Sequence, residues 1–154
     1  MWLIADTHFN HENIIEYTSR PFDDINQMNQ TIIDNWNAVV APGDTVLHLG
    51  DFAMGKDSVQ GLVNSLNGNI HLIIGNHDRS GKQWFRDQGF AEVYSSLQVG
   101  NILFTHKPRI QLAEGLVNYH GHLHGKDTGL DKNKYRDFSC ELTNYMPVWI
   151  KEEI

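Results

Sequence analysis

The chain has 154 residues and a net charge of −7 at neutral pH, with a pI of about 5.6, which argues against a broad basic surface for duplex nucleic acid. Hydrophobic residues make up 40% and charged residues 20%, a balance typical of a globular chain with a hydrophobic core, and we predict one domain over residues 1–154. With one cysteine, Cys140, an intramolecular disulfide is excluded. Without a secretory pattern or a membrane-length apolar run, we expect a cytoplasmic protein that does not enter a membrane.

The first half of the chain alternates between apolar runs of strand length and helical patterns. Strands are predicted at residues 2–5, 45–49 and 70–74. Helices are predicted at residues 9–18, 25–40, 57–66 and 80–89. The second of these has the clearest apolar stripe at helical spacing, and Asp23 or Asp24 can cap it. This alternation predicts a largely parallel sheet with right-handed crossovers.

After Phe90 the pattern changes to short strands joined by tight turns. They are predicted at residues 92–95, 97–99, 102–105, 138–142 and 148–151, and residues 117–121 lead to His122 and His124. Gly100-Asn101 suits a hairpin, and the polar residues 127–136 are predicted to form a surface loop. Pattern alone therefore predicts an α/β chain followed by further β structure.

Asp, Asn and His residues follow several of the apolar runs. The stretches are Asp6-Thr7-His8, Gly50-Asp51, Gly75-Asn76-His77-Asp78, Thr105-His106 and Gly121-His122-Leu123-His124. These side chains are hard or borderline metal ligands, and the carboxyl ends of strands are where α/β folds place their chemistry. Gly75 is expected to allow a sharp turn where its strand ends.

Together, these stretches resemble the calcineurin-like metallophosphoesterases. That family carries Asp-x-His, Gly-Asp, Gly-Asn-His-Asp/Glu, a lone His and Gly-His-x-His, and all five occur here in order from Asp6 to His124. Asp-Thr-His-Phe-Asn-His and Arg20-Pro21-Phe22 further resemble small bacterial and phage phosphoesterases. The resemblance implies a four-layer α/β/β/α sandwich of two mixed sheets flanked by helices.

The resemblance also implies a centre of two divalent metal ions. It assigns Asp6, His8 and His124 to the first ion, Asn76, His106 and His122 to the second, and Asp51 to both. His77 receives the catalytic role of stabilising charge on the phosphate and protonating the leaving oxygen. The ligand atoms are nitrogen and oxygen, which manganese, iron, zinc and nickel all accept. Manganese is expected from the family.

The implied activity is hydrolysis of a phosphate ester by a metal-bridging hydroxide. Because the chain is short and has no cap domain, an open cleft is expected, which favours a phosphodiesterase acting on nucleotide or nucleic-acid-like substrates. A phosphomonoesterase or protein phosphatase is the alternative enzyme. A non-catalytic scaffold of the same fold is less favoured, because every ligand position is filled.

Three basic residues are candidates for contacting the substrate phosphate: Arg20, Arg79 and Lys107. For Arg20 a surface salt bridge is an equally good hypothesis. Asp78 is expected to cap the helix that follows it rather than to orient a neighbour.

The sequence does not identify the residue that would orient His77. Many family members carry a charged residue shortly after Gly-Asp, whereas Phe52 to Gly55 follow here, so no residue that orients His77 is identified. Asn10 and His11 could face the site, but a solvated first helical turn is the favoured prediction for both. Cys140 is expected to be a small buried side chain rather than a nucleophile.

Overall fold

The computed structural model describes residues 1–154 and contains nine strands and four α-helices. The helices are α1 (Asn13–Tyr17), α2 (Ile25–Val39), α3 (Val59–Ser65) and α4 (Lys82–Asp87). The strands are β1 (Trp2–Ile4), β2 (Thr45–His48), β3 (Asn69–Ile73), β4 (Glu92–Tyr94), β5 (Leu97–Val99), β6 (Ile102–Phe104), β7 (Val117–His120), β8 (Tyr135–Asp137) and β9 (Val148–Trp149). None of the helices has the length and hydropathy that crossing a membrane requires.

The first sheet has five strands in the order β4-β3-β2-β1-β9. Its first four strands in the sequence are parallel, with Leu3 opposite Leu47 and Leu47 opposite His71. The last strand, β9, joins antiparallel to β1. The predicted parallel sheet is confirmed. Parallel pairing is possible here because each connection between these strands contains a helix that returns the chain to the same edge.

The second sheet has four strands in the order β5-β6-β7-β8. Strands β5 and β6 form the antiparallel hairpin that Gly100-Asn101 predicts, with Gly100 at a φ of 56°. Strands β6, β7 and β8 are parallel. Both sheets are therefore mixed.

Two hydrophobic clusters hold these layers together. Alternate residues of a strand face opposite sides of a sheet, so Leu3 and Leu47 enter the cluster shared with the second sheet, whereas Ile4 and Val46 enter the other. That other cluster includes buried side chains of all four α-helices, among them Trp36 of α2. The prediction of two mixed sheets flanked by helices is confirmed.

Two predicted elements are wrong in extent. The helix predicted at residues 9–18 shortens to α1, since Asn10 has a φ of 62°, which a helix does not allow. The strand predicted at residues 138–142 is displaced: β8 ends at Asp137, and Cys140–Leu142 form a short 3₁₀ turn. The reason is that Ala5 pairs with this segment, accepting from the Cys140 N–H and donating to the Phe138 carbonyl. This pairing joins the end of β1 to the second sheet.

Candidate metal centre

The residues that the motifs single out meet at one edge of the molecule. Strands β1, β2 and β3 of the first sheet end just before Asp6, Asp51 and Asn76, and strands β6 and β7 of the second sheet end just before His106 and His122. Strands β1, β2 and β3 are parallel to one another, and so are β6 and β7. Because the two sheets face one another, the residues that follow these strands meet although they are far apart in the sequence.

The backbone at this edge is held in an uncommon conformation. Positive φ values occur at five of the seven predicted ligands: Asp6 (57°), His8 (49°), Asp51 (57°), His122 (71°) and His124 (50°). For residues other than glycine this left-handed region is sparsely populated, and each instance costs of order ~1–3 kcal/mol. Such strain persists where the surrounding structure fixes it, and it marks this edge as a candidate functional site.

Asp6, His8 and His124 form a first group of potential ligands, with one atom from each lying within 4.8 Å of the others. His8 Nε2 is 3.9 Å from Asp6 Oδ1, and His124 Nε2 is 4.0 Å from the same oxygen. These separations leave room for one ion between the three atoms. The grouping is the one that the resemblance assigns to the first metal.

Asp51, His106 and His122 form a second group that meets the same criterion. His106 Nε2 lies 3.0 Å from the side-chain oxygen of Asn76, so Asn76 joins this group. The other ring nitrogen of His106 lies 2.9 Å from the carbonyl oxygen of Leu49 and can donate to it, which orients Nε2 toward the group.

Asp51 lies between the two groups. Its Oδ2 atom is 3.6 Å from His8 Nε2 on one side and 3.3 Å from His106 Nε2 on the other. Its Oδ1 atom accepts a hydrogen bond of 2.7 Å from the backbone N–H of His77. One carboxylate oxygen is therefore placed where it could contact an ion in each group.

The donor atoms fit a pair of divalent cations. Asp6 Oδ1 and His8 Nε2 are buried and have no hydrogen-bond partner, which is unfavourable for a buried polar atom unless something else binds it. Both atoms point into the first group. Carboxylate oxygen, amide oxygen and imidazole nitrogen are suitable ligands for the first-row divalent metals.

Burial and neighbouring charges shift the protonation of these groups. Burial raises the pKa of Asp6 to about 7, against the opposing influence of His106 and His124. Burial lowers the pKa of His8 to about 2, which keeps its imidazole neutral and able to bind a cation. Burial also opposes ionisation of Asp51, but its hydrogen bond with His106 and that residue's charge hold its pKa below the usual range.

Glu141 is a functional candidate that the sequence patterns do not indicate. Its Oε1 atom lies 2.9 Å from Nδ1 of His124, leaving Nε2 of that ring to face Asp6. Burial disfavours the charged form of Glu141, but the His124 hydrogen bond and the Arg20 charge lower its pKa to about 2. Glu141 lies in the short turn after β8. No motif surrounds it in the sequence, and its contact with His124 arises from the tertiary fold.

Arg20 occupies a different position from either that was predicted. Its side chain is fully buried, with Nη2 2.8 Å from Glu141 Oε1. The same nitrogen donates to the carbonyl of Asp6 at 2.7 Å, and Nη1 donates to the carbonyl of Thr7 at 3.0 Å. The salt bridge predicted for Arg20 is therefore present but buried rather than at the surface, and these contacts place Arg20 where it holds the strained Asp6-Thr7 backbone.

Asp78 joins the loops that follow β2 and β3. Its carboxylate accepts backbone hydrogen bonds from Asp51 (2.8 Å), Phe52 (3.1 Å) and Gly75 (2.8 Å). The N-terminal cap of α4 is Gly81, so the predicted capping role of Asp78 is wrong. Asp78 instead fixes the backbone on both sides of the shared carboxylate.

Two glycines allow close approach rather than unusual turns. A Cβ atom on Gly75 would collide with the Asp51 carboxylate, and one on Gly121 would collide with Asp6. Gly75 does not have a positive φ, so the sharp turn expected there is not its role. The space beside Gly121 lets Asp6 Oδ2 accept from the His122 N–H at 2.7 Å and from Ser139 Oγ at 2.9 Å.

A cleft of about 460 Å³ opens over both groups of potential ligands, and His77 and His11 both line it. The His77 ring lies 5.2 Å from the His8 ring and 5.6 Å from the His11 ring, measured between centroids. His11 Nδ1 is also 3.3 Å from His8 Nδ1. The solvated first turn predicted for His11 is thus wrong, whereas Asn10 is exposed as predicted. The neighbours of His77 are histidines, and no carboxylate side chain bonds to its ring.

The two remaining basic candidates, Arg79 and Lys107, line pockets that each share a residue with this cleft. Arg79 is exposed and lines a pocket of about 260 Å³ that also contains His77. Lys107 is exposed and lines a cleft of about 380 Å³ together with Asn76 and His106. Both side chains are placed where a bound substrate could reach them.

The sequence is similar to known proteins over most of its length. A family model described as calcineurin-like phosphoesterase matches residues 1–153. An uncharacterized protein of Methanocaldococcus jannaschii is 36% identical over 162 aligned positions, which cover 96% of this chain and 85% of that protein. The Gene 66 protein of Mycobacterium phage L5 is 33% identical over 81 positions, covering 50% of this chain and 39% of that protein.

Two solved structures resemble the fold. A protein of unknown function from Aquifex aeolicus superposes with a TM-score of 0.74 at 26% identity, covering 96% of this chain and 94% of that one. The Pseudomonas putida nuclease MPE superposes with a TM-score of 0.55 at 19% identity, covering 79% of this chain and 60% of that one. At that identity the second likeness concerns the fold alone.

Proposed function

Because this chain belongs to the calcineurin-like phosphoesterase family, we propose that it is a phosphodiesterase acting on nucleotide or nucleic-acid-like substrates. The family consists of metal-dependent phosphoester hydrolases with a centre of two divalent ions, and two groups of potential ligands are present here. We propose that residues 1–154 act as one domain.

The observation that carries the proposal is the position of Asp51 between the two groups, with one oxygen within 3.6 Å of His8 Nε2 and 3.3 Å of His106 Nε2. An isolated metal site has no need of a shared carboxylate, whereas two adjacent ions do. We therefore propose the ligand set Asp6, His8 and His124 for one ion, Asn76, His106 and His122 for the other, and Asp51 for both.

A bound pair of divalent ions supplies Lewis acidity toward the phosphoryl oxygens and generates a nucleophile from water at neutral pH. The protein contributes the charge balance. Asp6 and Asp51 are the two anionic side chains of the proposed set, and Asn76 and the histidines add no negative charge. The set therefore leaves positive charge facing an anionic phosphate.

His77 is the proposed general acid. Its backbone N–H is tied to Asp51 Oδ1 at 2.7 Å, so the carboxylate proposed to join the ions also positions the imidazole beside them. From the cleft, a protonated His77 ring nitrogen can donate its proton to the leaving oxygen as the phosphorus–oxygen bond breaks. The His8 and His11 rings beside it restrict where that imidazole can turn.

The shape of the site favours a diester over a monoester. The cleft above the metal centre shares His77 with the pocket that Arg79 lines, and Asn76 with the cleft that Lys107 lines. A phosphodiester has two substituents on the phosphorus, and these two neighbouring pockets could each accept one. The likeness to the Pseudomonas putida nuclease adds only the shared fold to this argument.

The test is a reconstitution assay. The protein is stripped with EDTA, and its hydrolysis of bis(p-nitrophenyl) phosphate and p-nitrophenyl phosphate is measured after addition of manganese, iron, zinc or nickel. We expect no turnover without metal, the best turnover with manganese, and a preference for the diester. Full activity in metal-free protein would contradict the proposal, a monoester preference would favour a phosphatase, and two bound ions without turnover of any ester would favour a scaffold.

A further inference from the structure

A cationic cleft borders the second group of potential ligands. Its volume is about 380 Å³, and its lining includes Asn76, His106, Lys107 and Arg109 but no carboxylate. The whole chain carries a net charge of −7. Two positive side chains without an acidic neighbour in the lining are therefore a local reversal of the protein's overall charge.

Both cations are free to bind an external anion. Lys107 and Arg109 are exposed, and neither forms an ion pair within the chain. The arginine or lysine side chains that do form ion pairs are Arg20, with Glu141, and Arg86, with Glu92. An unpaired arginine fork and a nearby ammonium together offer the donors that bind phosphate oxygens.

The segment that carries these cations is fixed by hydrogen bonds to the buried Asn118 and to Thr105 and Tyr135. Asn118 is fully buried; its oxygen accepts from the Arg109 N–H at 2.7 Å, and its amide donates to Thr105 Oγ1 at 2.9 Å. Thr105 Oγ1 in turn donates to the Lys107 carbonyl at 2.7 Å, and the Tyr135 hydroxyl donates to the Arg109 carbonyl at 3.0 Å. The backbone under both cations is thus held in place before any ligand arrives.

We propose that Lys107 and Arg109 form a subsite for a second phosphate group of the substrate, next to the phosphate that reacts. Asn76 lines both this cleft and the cleft that contains His77, so a chain that passes the metal site would continue into the cationic cleft. The inference rests on the proposed function and names its substrate class: a phosphodiester that carries a further phosphate anion. That anion can be a terminal phosphomonoester or the next internal diester of a strand.

The experiment compares substrates that differ only in the extra phosphate, using manganese-loaded protein. The deoxydinucleotide dTpdT is compared with pdTpdT and dTpdTp, which add a terminal phosphate, and with dTpdTpdT, which adds an internal one. KM and kcat are measured for the unsubstituted protein, for K107Q/R109Q, and for K82Q/K151Q, which removes the same charge from exposed positions outside this cleft. Bis(p-nitrophenyl) phosphate, which has one phosphate, is the reference substrate.

We expect the extra phosphate to lower KM about tenfold, a size suited to two exposed charge contacts. K107Q/R109Q should lose that preference, so that KM no longer differs between substrates with and without the extra phosphate, and K82Q/K151Q should keep it. Preference for the terminal forms identifies a strand end as the ligand, and preference for dTpdTpdT identifies an internal diester. Equal KM for all four substrates, or a preference that survives K107Q/R109Q, overturns the subsite.

A binding measurement separates this inference from the proposed function. Anisotropy of a fluorescein-labelled dTpdT, with and without the extra phosphate, is recorded with the same three proteins. If no diester is turned over but binding still depends on the extra phosphate and on Lys107 and Arg109, the hydrolytic proposal fails and the subsite stands. Binding that ignores the extra phosphate overturns the subsite whether or not diesters are hydrolysed.

Discussion

The imidazole of His124 is hydrogen bonded to the carboxylate of Glu141, with Nδ1 2.9 Å from Oε1. This bond directs Nε2 of His124 toward Asp6 Oδ1, which is 4.0 Å away. A carboxylate behind a metal-binding histidine fixes its tautomer and raises its basicity. Glu141 therefore belongs to the proposed metal centre although it contacts no ion in our assignment.

We expect Glu141→Gln to weaken binding of the first metal ion by ~10–100-fold. The amide can still meet His124, but it loses the negative charge that strengthens the ligand. Metal titration followed by calorimetry measures the change, and Glu92→Gln, an exposed carboxylate paired with Arg86, is the control. Unchanged affinity in the Glu141 variant would remove it from the site.

Asp51 and Asp6 should differ in how many ions they control. Because Asp51 lies between the two groups, Asp51→Asn should reduce the occupancy of both ions, whereas Asp6→Asn should reduce mainly the first. Elemental analysis of the purified variants gives the metal content per chain, with the exposed Asp57→Asn as a control. Two retained ions and a normal rate in Asp51→Asn would show that Asp51 is not the shared ligand.

Metal affinity should fall as the pH drops below about 7. Burial raises the pKa of Asp6 to about 7, so at lower pH an ion must displace a proton from it, at a cost of about tenfold in affinity per pH unit. Burial works against protonation of His124, but its Glu141 hydrogen bond raises its pKa, which adds a second proton. Burial lowers the pKa of His8 to about 2, so it takes no part in this range.

Calorimetric titrations in buffers of different ionisation enthalpy count the protons released on binding. We expect the protein to release about one proton more than Asp6→Asn at about pH 6 and the same number at about pH 8, on either side of the Asp6 pKa, because protons lost by metal-bound water cancel in this comparison. Equal counts in the two proteins at both pH values would mean that Asp6 is already ionised in the metal-free protein.

His77→Ala should separate substrates by their leaving group. A nucleoside alkoxide needs a proton to leave and a p-nitrophenolate does not, so turnover of a dinucleotide should fall by ~10²–10⁴-fold while that of bis(p-nitrophenyl) phosphate falls much less. Metal content should be nearly unchanged. Equal losses on both substrates would instead indicate that His77 stabilises charge on the phosphate. Loss of metal would make His77 a ligand.

Arg20→Gln should act on stability rather than on substrate binding. The variant leaves the Asp6 and Thr7 carbonyls short of donors and removes the partner of Glu141, and breaking a buried ion pair costs ~3–5 kcal/mol. Urea unfolding measures the loss. Arg86→Gln, which breaks a partly exposed pair with Glu92, is the matched control and should cost less than ~1 kcal/mol. A raised KM with unchanged stability would instead support the substrate contact predicted for Arg20.

Helix α2 and its N-terminal cap follow from local sequence pattern. The stripe of α2, with Met28, Ile32 and Trp36 fully buried, and the Asp24 cap, which accepts from the Gln27 N–H at 2.9 Å, are both visible in the sequence because they depend on neighbouring residues. The displaced strand after residue 135 was not foreseeable in this way. It pairs with β7, and the segment that follows it pairs with Ala5, far away in the sequence.

The sequence by itself determined which residue types lie at the site. Five short motifs at strand ends contain all seven proposed ligands and His77. It also indicated the family, which the match over residues 1–153 shows. Only the tertiary structure decided the roles of Arg20, Asp78, His11 and Glu141, and it alone brought out the cationic cleft. The physical reason is that a ligand motif is a local pattern, whereas a hydrogen-bond partner or a shared cleft depends on long-range packing that brings distant loops to one edge.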